Sequence, residues 1–328
     1  MSSSTTKVRV VFDTSAKTNK GISLNDILMI GPTIQPTLFE QLLRFRSHIY
    51  VLTADIEKMY RQVLIHPDDR RYQRIFWYHN GKIKVWELRT VTFGVSSAAL
   101  LAIRTVSQLA DDEKERFPLA SRIINRDLYV DNLLTGANSL EEVLQIRNEI
   151  IEVLRSGGFN MRQWASNHHY ALDNITEKIF DLDHAIEENP ILKTLGVVWN
   201  SQLDKFTYTV SAIDLAGKIT KRSILANIAK IFDPLGLLGP IILVAKRIMQ
   251  DCWKLKLGWD ESVPQELYVR WSSYAEQLNF IRDLRIDRRI LGENSNQIEV
   301  HGFCDAIPVS PPEDYVRKDP EDLAGMTK

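Results

Sequence analysis

The chain has 328 residues, of which 44% are hydrophobic and 25% charged, a composition that excludes a disordered protein and predicts two or three domains. No apolar run is long enough to span a bilayer, and the start, MSSSTTKVRV, differs from a signal peptide. The two cysteines, Cys252 and Cys304, are too distant in sequence to suggest a CxxC metal site or a disulfide framework. We therefore expect an intracellular protein, cytoplasmic or nuclear, without membrane contact.

The net charge of −1 conceals an asymmetry along the chain. Residues 1–110 contain 15 Lys and Arg against 8 Asp and Glu, whereas residues 111–328 contain 26 against 34. A basic first third can bind a polyanion such as nucleic acid through its phosphates. A mixed, solvated surface would give the same count, so charge alone leaves both interpretations open.

The first half of the chain predicts strands and helices in alternation. Apolar and polar residues alternate at 7–13 as in a strand, apolar residues at 34–46 recur with helical spacing, and residues 48–56 form an apolar strand that includes Asp55. Two further strand-like runs flank Asn80-Gly81, a pair that favours a type I′ turn. This stretch therefore predicts a β-hairpin.

The second half begins with helix formers at 96–117 and a strand–turn–strand pattern at 127–136. An amphipathic helix follows, which starts at Ser139 and ends at Gly157-Gly158. Strands are predicted at 159–164 and 193–200. A helical stretch begins at about 211 and is broken by Pro and Gly at 233–240. The acidic, Pro-rich residues 308–328 predict disorder.

Asp55 and Asp131 are the candidates for metal chemistry. Asp55 lies at the end of one predicted strand and Asp131 at a predicted hairpin tip. If both strands belong to one sheet, the two carboxylates can converge on a divalent cation, because Mg²⁺ prefers a few carboxylate oxygens together with substrate phosphates. Acidic residues at strand ends and turns also serve solubility and turn hydrogen bonds, so the pair alone does not decide the function.

Several strings occur in the order of the reverse-transcriptase sequence blocks. They are LTADIEKMYRQVLIHPDD, RTVTFGVSSAA, YVDNLLTG, GFNMRQWASN and LGVVWN, preceded by VVFDTSAKTNKGISLNDILMIGP and followed by TKRSILANIAKIFDPLGLLGP. Together they closely resemble the polymerase of BEL/Pao-type LTR retrotransposons. The resemblance covers about residues 7–305, and its specificity comes from several blocks in a fixed order.

The resemblance implies an α+β right-hand polymerase fold of fingers, palm and thumb, with a helical C-terminal extension. It implies RNA-directed DNA synthesis with two Mg²⁺ ions on an RNA or DNA template-primer and deoxynucleoside triphosphates. The expected domains are N-terminally truncated fingers and palm at 1–205, a thumb- or connection-like Pao-type region at 206–298, and a truncated ribonuclease H first strand with an unrelated tail at 299–328. The oligomeric state is left open.

The resemblance also implies roles for individual residues. Asp55 and Asp131 would be the metal-binding carboxylates, with Asn132 beside them in the catalytic turn. Nucleotide binding would involve Arg9, Ile56 through its carbonyl, Tyr60 under the sugar, and Phe93 with Gly94 beside the incoming base. The primer and the palm edge would involve Tyr129, Trp164, Leu195, Gly196 and Trp199. Judged from the sequence alone, these aromatic residues could equally belong to the core of the palm, without contact to nucleotide or primer.

The sequence departs from the family pattern at three points. Asn132 replaces an acidic residue, Gln163 stands where related sequences often carry Lys, and Asp305 begins a ribonuclease H pattern that stops after Ala306. We therefore expect an impaired or inactive polymerase without ribonuclease H activity, because a lone carboxylate cannot assemble a two-metal site. The alternatives are a non-catalytic nucleic-acid-binding remnant of a retrotransposon polymerase and a chain that does not fold stably.

Three further motifs resemble functional sites, but a structural role explains each of them better. Asp13-Thr14 lacks the glycine of an aspartic protease loop. Residues 211–260 resemble a segment designated as a Pao retrotransposon peptidase, yet their pattern favours a helix pair broken by prolines. His168-His169 has no Cys or His partner at a spacing typical of zinc sites, which favours a loop.

Overall fold

The computed structural model describes residues 10–175, 191–194, 197–208, 213 and 215–292 of this chain, which combine helices and strands in an α+β arrangement. Contacts divide the chain into two compact units. The first comprises the described chain up to Thr207 together with Arg285–Ile290, and the second comprises Tyr208–Leu284 and the described residues from Leu291. The Arg9, Leu195, Gly196 and Asp305 positions and the 308–328 tail lie outside the described residues.

The first unit holds all the strands of the described chain. They are β1 (Tyr50–Ile56), β2 (Arg74–His79), β3 (Lys82–Glu87), β4 (Leu128–Tyr129), β5 (Asn132–Ala137), β6 (Met161–Ser166), β7 (Ile191–Thr194), β8 (Val197–Asn200), β9 (Lys205–Thr207) and β10 (Ile286–Asp287). They form three antiparallel sheets, with the orders β4-β5-β1-β6, β10-β9-β8-β7 and β2-β3. In the first sheet β1 is central, although its partners follow it by about eighty and about a hundred residues.

The helices of the first unit are α1 (Leu24–Ile27), α2 (Leu38–Ser47), α3 (Met59–Gln62), α4 (Ala98–Asp112), α5 (Pro118–Asp127) and α6 (Leu140–Ser156). Two of the longer helices begin at the polar caps that their sequences provide. Thr37 and Glu40 form a reciprocal capping box on α2, and the Ser139 hydroxyl accepts the backbone N–H of Glu142 on α6. These caps satisfy N–H groups that a helix leaves unpaired at its start.

The two faces of the first sheet have different environments. Leu52, Ala54 and Ile56 of β1 point into a core that the buried sides of α4, α5 and α6 complete. Because side chains alternate along a strand, Asp55 lies on the opposite face. Strand β1 thus contributes apolar side chains to the core on one face and the first candidate carboxylate on the other.

A fully buried arginine joins β10 and the segment after it to the rest of the first unit. Arg288 is 0% exposed, and its guanidinium donates to both carboxylate oxygens of Asp204 at 2.6 and 2.8 Å. It also donates to the carbonyls of Phe45 at 2.6 Å and His48 at 2.9 Å. Since a buried charge is tolerated only when it is paired and hydrogen-bonded, this set of contacts fixes the segment in place.

The described part of the second unit consists of helices and the loops that join them. Its helices are α7 (Lys221–Ile228), α8 (Gly239–Lys254) and α9 (Gln265–Gln277), and they pack around Trp271, which is 0% exposed. The residues between α7 and α8 include Pro234, and Pro240 lies in the first turn of α8. The predicted Pro/Gly break in a helical region is confirmed.

The structure confirms some predicted elements and corrects others. Asn80 and Gly81 have φ values of 52° and 76° at the tip of the predicted hairpin. Residues 10–13 belong to no strand, since Phe12 donates a single backbone bond to Phe93. The predicted strand at 193–200 is instead two antiparallel strands, with Thr194 opposite Val197. Helix α5 was not predicted, because it begins without a polar side-chain cap.

The buried contacts of Arg288 lead to a stability prediction. We expect Arg288→Met to lower the free energy of unfolding of the first unit by about 3–5 kcal/mol, because Asp204 loses its charge partner in a partly buried position. Urea denaturation of the full chain followed by circular dichroism measures this change. The matched control is Arg122→Met, which replaces an exposed arginine on α5 and should change stability by less than about 0.5 kcal/mol. Equal effects of the two substitutions would contradict the proposed importance of the buried pair.

Candidate active site

The residues Tyr129-Val130-Asp131-Asn132 form the tip of the β4–β5 hairpin. Tyr129 and Asn132 pair across the strands, so Val130 and Asp131 make a two-residue turn. Val130 has a φ of 55°, which is a genuine outlier for a β-branched residue. Such conformations persist only where the surroundings impose them, and they concentrate at functional sites. The strained turn is therefore a candidate functional site.

A glutamine from before α2 holds this strained turn. The Gln35 side chain donates to the Leu128 carbonyl at 2.9 Å and accepts the Val130 N–H at 3.0 Å. Gln41, which is 0% exposed, donates to the same Leu128 carbonyl at 3.1 Å. On the other side of the turn, the Ile56 N–H donates to the Asp131 carbonyl at 2.8 Å. These bonds fix the position of the turn relative to β1.

Asp127 anchors the base of the same hairpin. Its side chain is 1% exposed and accepts hydrogen bonds from Arg44 at 3.1 Å, from Arg126 at 2.8 and 2.7 Å, and from Thr135 at 2.9 Å. The hydrogen bond to Asp127 raises the pKa of the Arg126 guanidinium above its ordinary value. Because this buried carboxylate is fully engaged, its role is to hold the strand that leads into the turn.

Strand register brings the predicted site residues together. Asp55 is directly opposite Asn132 on β5 and opposite Arg162 on β6. Directly opposite residues of antiparallel strands share a face, so Asp55 and Asn132 lie on the face away from α4–α6. Asp131 is the second residue of the turn, and its backbone carbonyl accepts the N–H of Ile56, the residue after Asp55. Asp55, Asp131 and Asn132 are all partly exposed, as a site open to substrate requires.

The candidate site offers few protein ligands to a divalent cation. Asp55 and Asp131 offer carboxylate oxygens, and Ile56 could add a carbonyl, which fits the few protein ligands that Mg²⁺ accepts beside substrate phosphates. Asn132 offers no charge, and its amide nitrogen donates to an Asp131 carboxylate oxygen at 2.9 Å. Within the described part of the chain, no group of three or more His, Cys, Asp or Glu residues could hold a metal.

A further carboxylate close in sequence to Asp55 is already paired. Glu57, two residues after Asp55, forms ion pairs with Lys58 at 2.9 Å and with Arg162 at 2.8 Å. It is therefore compensated by two cations, and it is not an evident replacement for the charge that Asn132 lacks.

Tyr60 and Phe93 form an aromatic pair close to this sheet in sequence and in contact with each other. Their ring centroids are 5.0 Å apart and the rings are tilted by 37°. Gly94 follows with a φ of 103°, and a Cβ atom there would overlap the carbonyl oxygen of Phe12. Only glycine fits this position, since it combines a left-handed backbone with close approach of another chain segment.

Asn25 holds the Phe93-Gly94 segment in place. Its side-chain nitrogen donates to the Gly94 carbonyl at 3.1 Å and its side-chain oxygen accepts the Ser96 N–H at 2.9 Å. The Thr14 hydroxyl donates to the same carbonyl of Gly94. These contacts join residues about seventy positions apart, and no local sequence pattern predicts them.

The remaining predicted residues lie in the interior or at a sheet irregularity. Trp164 is 1% exposed within the helix-covered core, and Trp199 is 3% exposed with its ring 5.3 Å from that of Phe45. Because both side chains are buried, these tryptophans could affect a primer only indirectly, by positioning the strands to which they belong. Gln163 has a φ of 55° and lies in a bulge where β6 has one residue more than β1.

Comparison with known proteins identifies part of the chain. Residues 220–309 match the family described as "Pao retrotransposon-like RNaseH-like domain". The match covers less than half of the chain, so it shows only that this segment is similar to a retrotransposon-type domain. The described part of the matched segment consists mainly of α7, α8 and α9. No curated protein sequence matches the chain.

The fold resembles that of a solved retroviral protein. The foamy viral protease-reverse transcriptase, solved in complex with double-stranded DNA, is similar with a TM-score of 0.50 and 14% sequence identity. The similarity covers 83% of this chain and 41% of that chain, so this chain spans less than half of the viral protein. At this identity the likeness concerns the fold alone. Among the described residues, no helix is both long and apolar enough to cross a membrane.

The contacts of Gln35 predict its contribution to the turn. We expect Gln35→Ala to destabilise the turn by about 1–3 kcal/mol, because the Val130 N–H and the Leu128 carbonyl each lose a partner. Amide hydrogen exchange at Val130 should accelerate about fivefold or more, while exchange in α6 stays unchanged. As a control, Gln145→Ala removes an exposed glutamine whose side chain donates to Glu149 within α6, and it should leave Val130 unaffected. Unchanged protection of Val130 in Gln35→Ala would show that other contacts hold the turn.

Proposed function

We propose that the first unit contains the polymerase site of an RNA-directed DNA polymerase, weakened in this chain by Asn132. The observation that supports this most is the strand register, which places Asp55 beside the strained turn that carries Asp131. Two carboxylates 76 residues apart in sequence are thereby held at one end of an antiparallel sheet. The order of the sequence blocks and the resemblance of the fold to a reverse transcriptase protein support the same proposal.

The proposed chemistry assigns each residue a limited task. Asp55 and Asp131 would hold Mg²⁺ by their carboxylates, with the carbonyl of Ile56 as a further ligand. When bound, two Mg²⁺ ions would activate the primer hydroxyl and offset the charge of the triphosphate. Tyr60 would stand under the sugar and exclude a 2′-hydroxyl. Phe93 would support Tyr60, as their ring contact suggests.

Asn132 weakens the proposed site in two ways. It contributes no negative charge, so the site holds one carboxylate fewer than the acidic turn that it resembles. Its amide also donates to an Asp131 oxygen, which reduces the electron density that this oxygen offers to a cation. Loss of one electrostatic contact in a transition state costs roughly 10²–10³ in rate, and loss of a charged ligand should cost at least as much.

Nucleic acid is the proposed partner of this unit. The similar foamy viral protein was solved in complex with double-stranded DNA, and residues 1–110 of this chain hold 15 Lys and Arg against 8 Asp and Glu. Binding through phosphates would depend strongly on salt concentration and little on the charge at position 132. The right-hand division into fingers, palm and thumb belongs to the same proposal, with 1–205 as fingers and palm and 206–298 as the thumb-like region.

A primer-extension experiment tests the role of Asn132. We expect extension near background for the natural chain and an increase of roughly 100-fold or more for Asn132→Asp with Mg²⁺, because the third carboxylate is restored. Template-primer affinity, measured in parallel, should change less than about twofold. Asn132→Asp combined with Asp55→Asn should return extension to background, which ties the gain to this site.

The matched control is Asn138→Asp, which makes the same chemical change at an exposed residue beyond the far end of β5. It should not raise extension. Robust extension by the natural chain would refute the proposed weakening. If the natural chain and Asn132→Asp both bind template-primer and neither extends it, the result favours a non-catalytic nucleic-acid-binding remnant.

A further inference from the structure

The β2–β3 hairpin exposes an unusual number of large side chains. Phe76, Trp77, Tyr78, Ile83 and Val85 are between 61% and 78% exposed, and Trp86 is 44% exposed. The two strands form a sheet of their own, tied at the tip by Asn80-Gly81. Two-stranded hairpins are marginally stable, and clustered exposed apolar side chains usually mark an interaction surface. The exposure of these side chains is therefore better explained by binding of a partner than by the stability of the hairpin.

Strand register separates the hairpin side chains into two faces of different chemistry. One face, which we call the apolar face, pairs Phe76 with Val85 and Tyr78 with Ile83, and its one ion pair, Arg74–Glu87, is neutral overall. The other, which we call the basic aromatic face, holds Ile75, Trp77, His79, Lys82, Lys84 and Trp86. Its two lysines have no acidic residue beside them on that face.

The geometry of the basic aromatic face suits a single strand of nucleic acid. Trp77 is directly opposite Lys84 and diagonal to Trp86, within the range over which aromatic side chains of neighbouring strands meet. His79 lies edge-on to Trp86, with ring centroids 5.6 Å apart. An exposed indole offers a surface on which an unpaired base can stack, and a lysine two residues along the strand can reach a phosphate.

We propose that the basic aromatic face binds single-stranded DNA or RNA, with bases stacked on Trp77 and Trp86 and phosphates paired with Lys82 and Lys84. Charge complementarity favours a polyanion over an apolar protein partner, since the positive charge of the hairpin is concentrated on this face. Duplex bases are already stacked on each other, which leaves the indoles without a partner, so a single strand should bind more tightly. The proposal does not depend on metal binding at Asp55 and Asp131.

The test compares two adjacent aromatic residues on opposite faces. Fluorescence anisotropy of labelled oligothymidine and oligouridine measures the affinity of the full chain, and a duplex of equal length serves as competitor. Trp77→Ala should weaken single-strand binding about 5- to 100-fold, because one stacked base loses its platform. Phe76→Ala, which removes a similarly exposed ring from the apolar face, should change affinity less than about twofold. Trp77→Phe should retain most of the binding.

Salt dependence gives an independent readout of the lysines. Replacing Lys82 and Lys84 together by Ala should reduce the slope of log affinity against log salt by about 1.4, that is, about 0.7 for each phosphate contact to a single strand. Lys114→Ala combined with Lys246→Ala, two exposed lysines outside the hairpin and outside residues 1–110, controls for net charge and should leave this slope unchanged. Equal losses in Trp77→Ala and Phe76→Ala would overturn the proposal, and so would tighter binding of duplex than of single strand. If Asn132→Asp fails to extend a primer while single-strand binding persists, the result would count against the proposed polymerase site alone.

Discussion

The register of β1 is the constraint on which the rest of the first unit depends. Leu52, Ala54 and Ile56 enter the helix-covered core, and Asp55 consequently faces the other way. A slip of one residue would reverse both faces at once, so that Asp55 would enter the core and the apolar side chains would meet water. The free energy that holds the core together therefore also fixes the position of the first candidate carboxylate.

The second carboxylate depends on contacts of another kind. The core does not determine Asp131, because it lies in a two-residue turn with a strained Val130. Hydrogen bonds from Gln35, Gln41 and Ile56, together with the ion pairs of Asp127 below, hold the turn instead. Apolar packing positions one half of the candidate site, and a buried polar network positions the other.

The sequence predicts those features that are local in character. The Asn80-Gly81 turn, the helix after Ser139 and the apolar run ending at Asp55 each carry their information within a few residues. Helix α5 could not be predicted from a polar cap, because Phe117 precedes it. The Arg288–Asp204 pair and the Gln35 contacts join residues 84 to 95 positions apart, and no periodicity or motif reports such pairs. The candidate carboxylates were found from motifs, whereas the residues that hold them required the structure.

The hydrogen bond between Asn132 and Asp131 shows how the turn can keep its shape with one negative charge fewer. Two adjacent carboxylates beside Asp55 would repel one another in the absence of a cation, and such repulsion disfavours their ionised forms. The Asn132 amide removes that repulsion and adds a donor to Asp131, so it is compatible with the same turn and stabilises it in the metal-free state. The strain at Val130 and the clamp by Gln35 remain, although a plain hairpin would gain from a glycine in the left-handed position. The turn thus combines a strained, clamped backbone with one negative charge fewer than two adjacent carboxylates would provide.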